Sequence, residues 1–131
     1  LDDWPQLIQD VKLTGKWKFQ LPIDTGPQLR YYFRIKEDGD NLTGRLMDIE
    51  WRNNSKFTCK NISLIGTKKD KNIDLFIIYE KGCCSNATIH ISGIMIDENT
   101  FFGKIVEFDR EVSCYPQAEY FNNNVSGFRQ N

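Results

Sequence analysis

Pairs of carboxylates on one strand face are the first candidates for chemistry in this chain. Asp48 and Glu50 alternate along one stretch, and Glu107 and Asp109 along another. Two carboxyl groups at a suitable separation can hydrolyse a glycosidic bond, one as acid and one as base or nucleophile. The same alternation is also the ordinary solvated face of a strand, and this is the reading we favour. His90 is the single histidine, with Ser92 two residues on. A lone imidazole builds no zinc site without Cys or carboxylate help, and His-Ser at i, i+2 carries no triad signature. Asp38-Gly39-Asp40-Asn41 lacks the spacing and the closing Glu of a calcium loop. No catalytic residue, metal site or cofactor is assigned, and the chain reads as more binding protein than enzyme.

The four cysteines, Cys59, Cys83, Cys84 and Cys114, have no Cys-x-x-Cys spacing. Their even number in a small chain suggests disulfides and an oxidising compartment. A bond between the neighbours Cys83 and Cys84 would close a strained ring. Two pairings avoid it: Cys59 with Cys83 and Cys84 with Cys114, or Cys59 with Cys84 and Cys83 with Cys114. A third, Cys59 with Cys114, leaves Cys83-Cys84 as a redox pair. Five sequons, at Asn41, Asn53, Asn61, Asn86 and Asn124, would be glycan acceptors in a eukaryotic secreted protein. The chain begins at Leu1 rather than Met, which with the cysteines gives the expectation of a removed leader and a secreted or periplasmic location.

These groups sit on a strand-rich framework. In Leu13-Thr-Gly-Lys-Trp-Lys-Phe-Gln-Leu21, the residues Leu13, Gly15, Trp17, Phe19 and Leu21 share one face. That period of two predicts a half-buried strand with Trp17 aimed at a core. Further strands are expected over 29–37, 42–51, 57–66, 72–80, 87–96 and 101–109, with a short last one near 118–122. The apolar phase slips by one residue between Leu46 and Met47, as a β-bulge would make it. Glycines recur in mid-strand at Gly44, Gly66, Gly93 and Gly103, where bends or close approach are expected. Leu1, Trp4, Leu7, Ile8 and Val11 have helical spacing, so a short N-terminal helix is expected over 1–12. The polar residues 123–131 read as a loose tail.

A chain of 131 residues with nine Phe, five Tyr and three Trp supports one domain with a real core. A net charge of −1 gives no argument for nucleic acid, and no apolar run is long enough for a membrane helix. About eight strands joined mostly by tight turns fit an all-β, antiparallel up-and-down barrel, which abolishes exposed edges; a two-sheet sandwich is the rival.

At Thr14-Gly15-Lys16-Trp17 the chain resembles the calycin superfamily, the lipocalins and avidins, in which Gly-x-Trp lies on the first strand of such a barrel. The resemblance implies a late Arg packed over that Trp, and Arg110 is the position expected to match. The later Trp residues that surround biotin in avidins have no counterpart, since Trp4, Trp17 and Trp51 are the only three. The functional expectation is therefore non-catalytic binding of a small hydrophobic molecule in the barrel, with Tyr31, Phe33 and Trp51 as ligand-binding residues. The runner-up is a protein partner, the chain acting as a secreted inhibitor or effector with a filled barrel.

Overall fold

The structure, a computed structural model, describes residues 12–23, 26–51, 61–80, 87–109 and 124–131. It is a closed antiparallel barrel in which each strand pairs with the next and the last with the first. The strands are β1 (Gly15–Ile23), β2 (Gly26–Asp38), β3 (Asn41–Trp51), β4 (Ile62–Lys69), β5 (Asn72–Tyr79), β6 (Ala87–Asp97), β7 (Thr100–Asp109) and β8 (Asn124–Gln130). Among the described residues there is no helix, hence none long and apolar enough to cross a membrane. The expected N-terminal helix and all four cysteines lie outside the described residues, as does Arg110.

Alternation builds the wall. On β5, Ile73, Leu75, Ile77 and Tyr79 are buried, and the residues between them are not. On β1, Leu21, Phe19 and Trp17 point inward and are fully buried. The interior of an eight-stranded barrel can be filled by side chains or can hold one small ligand, and at the end nearest Trp17 aromatic rings fill it. Trp17 stacks on Phe19 at 6.1 Å between ring centroids, and Phe19 meets the Phe101 ring edge-on at 5.8 Å. Phe33 and Tyr31 continue the stack upward from β2.

The slip at Met47 is a bulge. Tyr32 faces Asp48 and Phe33 faces Leu46, so Met47 is the extra residue and is turned out to solvent. This keeps Leu46 and Ile49 both on the inner side, which strict alternation across three residues would forbid. Gly93 and Gly103 face each other across β6 and β7. A Cβ on Gly93 would lie 2.3 Å from the Phe102 carbonyl oxygen, so the mid-strand glycines mark close backbone approach.

One expectation fails at the C-terminus. Residues 124–130, read as loose, form the strand that closes the barrel between β7 and β1. Only Val125 and Gly127 on it are buried. Gly127 faces Phe19, whose ring lies 2.8 Å from where a Cβ would stand, so the large apolar side chain belongs to the neighbouring strand. Fourth-strand residues 57–60 lie outside the description, and β4 runs on to Lys69, past the expected end at Gly66.

Candidate functional site

The two ends of the barrel differ. At the lower end are the short turns 38–41, 69–72 and 97–100, together with Lys12–Thr14 and Arg129. Here the sequence builds a plug. The Trp17 indole N–H donates to the Leu13 carbonyl at 2.8 Å, and the Leu13 N–H donates to Glu37 at 2.9 Å. Lys68 holds the other carboxylate oxygen of Glu37 at 3.0 Å, with Lys12 further off at 3.5 Å. Arg129 covers Trp17, its guanidinium carbon 4.7 Å from the ring centroid. Its N–H groups donate to the carbonyls of Thr14 at 2.9 Å, Glu98 at 3.0 Å, and Lys12.

Among the described residues the cation over Trp17 is that of Arg129. Gly15 has a φ of +136°, a conformation that side-chain-bearing residues rarely adopt, and a Cβ there would sit 3.0 Å from an Arg129 nitrogen. Gly15, Trp17 and Arg129 are therefore one device: the glycine lets the chain turn into β1 and leaves room for the guanidinium, which seals the indole.

Glu37 gives this plug a pH dependence. Burial alone would raise its pKa, but the Leu13 N–H, the Lys68 ammonium and the Lys12 charge outweigh burial and hold it below the usual glutamate range. A carboxylate depressed in the folded state stabilises fully above its unfolded pKa of about 4.3, and that stabilisation is lost as pH falls through the folded value. Glu37→Gln should cost about 1–2 kcal/mol at neutral pH. Thermal melts should show the gap to wild type closing below about pH 4; a gap independent of pH would remove this account of Glu37.

At the upper end the core changes character. Tyr31 on β2 and Tyr79 on β5 meet edge-on inside the barrel and share a hydrogen bond between their hydroxyls. Around them lie Leu29, Ile49, Ile62 and Ile77, all buried. Of the three expected ligand-binding residues, Tyr31 is part of this polar pair. Phe33 is packed lower, between Phe19 and Tyr31, as core. The Trp51 backbone faces Leu29 at the upper end of β3, and its side chain lies outside the description. Tyr79 is not among the ligand-binding residues expected from the sequence. Its register position opposite Ala87 at the end of β5, which places it level with Tyr31, follows from the strand pairing and not from local sequence.

The outer face absorbs the other candidates. His90 Nε2 lies 3.0 Å from Asp74 Oδ1, and its ring stacks on Phe76 at 4.2 Å across β5 and β6. It is a cross-strand histidine, and among the described residues no hydrogen bond joins it to a nucleophile. Asp48 accepts the N–H of Ile49, and Glu50 accepts from Tyr32 at 2.9 Å with Arg30 at 3.5 Å. Burial, then the Glu50 hydrogen bond and charge, push the Tyr32 hydroxyl pKa up. Asp48 and Glu50 therefore act within the solvated face and do not converge on a cleft. Among the described residues no three His, Cys, Asp or Glu side chains gather as a metal-binding group. The described sequon residues Asn41, Asn61 and Asn124 are all exposed. No family model, curated protein or solved structure matches the chain.

Proposed function

We propose that this is a non-catalytic, calycin-like binding protein that holds a small, largely apolar ligand in the upper half of its barrel. One observation carries the reading: among the described residues the Tyr31–Tyr79 hydroxyl pair is set beside the buried apolar side chains of Leu29, Ile49, Ile62 and Ile77. Ligand sites are commonly apolar cavities in which a few convergent polar groups fix orientation. Two phenols on facing strands supply that handle for a hydroxyl or carbonyl at one end of an apolar molecule. The lower half is solid with aromatic rings, so the ligand enters from above. The calycin resemblance is supported by the arginine over the first-strand tryptophan. The secreted or periplasmic location is supported by the exposed sequon asparagines and the cysteine content.

A dansylated long-chain alcohol is a suitable probe. Tyr31→Phe combined with Tyr79→Phe keeps both rings and deletes both hydroxyls. Probe affinity should fall about tenfold, the worth of roughly one good hydrogen bond. Unchanged affinity in a folded double variant would defeat the reading. A second reading, a protein-binding module, is favoured by the outer face of β6 and β7. There Ile94 and Phe102 face each other, and both are exposed beside Ile96. Ile94→Asp with Phe102→Asp separates the two: it removes a protein contact and leaves probe binding intact.

A further inference from the structure

On the outer face, β1 to β3 line up cations where a sheet ordinarily alternates charge. Lys16 faces Arg34, and Arg34 faces Arg45, so three positive side chains stand in one row across three strands. Lys36, two residues along β2, faces Thr43 in the next row. Like charges directly opposite each other destabilise a sheet. None of these four side chains has an ion pair or hydrogen bond among the described residues. Three acidic groups nearby are committed elsewhere: Glu50 to Arg30 and Tyr32, Asp48 to the Ile49 N–H, and Glu37 to Leu13, Lys68 and Lys12; Asp38, at the turn two residues beyond Lys36, forms no ion pair with the row. The chain as a whole carries a net charge of −1, so the row is a local concentration and not a reflection of a basic protein.

The row borders a groove of about 500 Å³ lined by Thr14, Lys36, Thr43, Arg34 and Arg45, with Ile35 and Gly44 among its walls. That volume lies in the range of small-molecule sites. We propose that this groove binds a small anion bearing two linked phosphate or sulfate groups. Arg34 and Arg45 supply planar guanidinium forks on adjacent strands, a geometry suited to bidentate contact with tetrahedral oxyanions. Lys36 adds a point charge in the groove lining, Lys16 stands opposite Arg34 at the end of the row, and the Thr14 and Thr43 hydroxyls are available donors. Bound anion removes the repulsion along the row, so binding stabilises the fold. The site lies on the outside of the wall and is independent of the ligand position inside the barrel.

The test is an amide chemical-shift titration of the intact protein, with pyrophosphate and inorganic sulfate in separate arms. Pyrophosphate should give saturable shifts at Thr14, Lys36 and Thr43, and it should bind about tenfold more tightly than sulfate, since two linked anions engage both forks. Arg34→Gln and Arg45→Gln should each weaken it about tenfold. Arg34→Lys should recover only part of the loss, because lysine lacks the fork. Lys69→Gln, on the β4–β5 turn, should change nothing. Pyrophosphate should also raise the melting temperature of wild type and not of the double glutamine variant. Failure to saturate by about 10 mM pyrophosphate at low salt, or equal affinity in the folded double variant, would overturn the proposal. Equal binding of sulfate and pyrophosphate would overturn its two-anion form.

Discussion

Trp17→Ala should lower stability by about 3–5 kcal/mol, the range for deleting a buried aromatic side chain. Trp17 is fully buried, stacked on Phe19 and covered by Arg129, so few neighbours are free to collapse into the space. The loss also strands the Leu13 carbonyl, which accepts the indole N–H. For a domain of this size the melting temperature should drop by about 10–20 °C. Trp17→Phe should recover much of the packing but not the hydrogen bond, leaving a loss of about 1–2 kcal/mol. Denaturant unfolding of the three proteins measures both steps. A Trp17→Ala loss under about 1 kcal/mol would mean that the lower end is not the packed plug described here.

Arg129→Ala carries the second-largest expected effect, about 2–4 kcal/mol. Charge-assisted hydrogen bonds and a partly desolvated cation–π contact are each worth about 1.5–3 and 2 kcal/mol at most, and they share one side chain. The guanidinium ties Lys12 and Thr14, before β1, to Glu98, in the β6–β7 turn. Its removal loosens the segment that shuts the barrel from below. Arg129→Lys should cost nearly as much, since one ammonium cannot reach three carbonyls and lie flat on the ring. A double-mutant cycle with Trp17→Phe should show no large coupling, because Phe keeps a ring face. With Trp17→Ala the coupling should reach about 1–2 kcal/mol. Additivity in the Trp17→Ala cycle would separate the two residues that the structure joins.

Trp17 is plain in the sequence and Arg129 is hidden in it because of which strand brings the bulk. β1 alternates Trp17, Phe19 and Leu21 with polar residues, and a period of two is plain to read. β8 contributes only Val125 and Gly127 to the core, because Phe19 and Phe101 already occupy that space. A strand that supplies room and no volume leaves little hydrophobic signal, and an Asn-rich approach to it reads as a tail. Arg110, the position to which the calycin resemblance points, follows the last strand with a plain alternation and lies outside the described residues. The bulge at Met47 was legible because a slip in apolar phase is a local signal. Tyr31 was legible as an inward aromatic of β2. Its pairing with Tyr79 was not, since the two lie 48 residues apart and meet only when the barrel closes. The cation row was equally hidden: Lys16, Arg34 and Arg45 are ordinary outward residues until register sets them opposite one another.

Together these residues divide the molecule by height. The lower half is a sealed aromatic core held by Gly15, Trp17, Glu37 and Arg129. In the upper half, among the described residues, a pair of phenols stands beside Leu29, Ile49, Ile62 and Ile77, and the proposed ligand is placed there. Native mass spectrometry of the protein purified from its natural source tests this most directly. The account predicts a small apolar adduct that survives gentle ionisation, is removed by organic extraction, and is not retained by the protein carrying both Tyr31→Phe and Tyr79→Phe. A protein that carries no adduct from its source, and takes up none of the apolar probe after extraction, would contradict it.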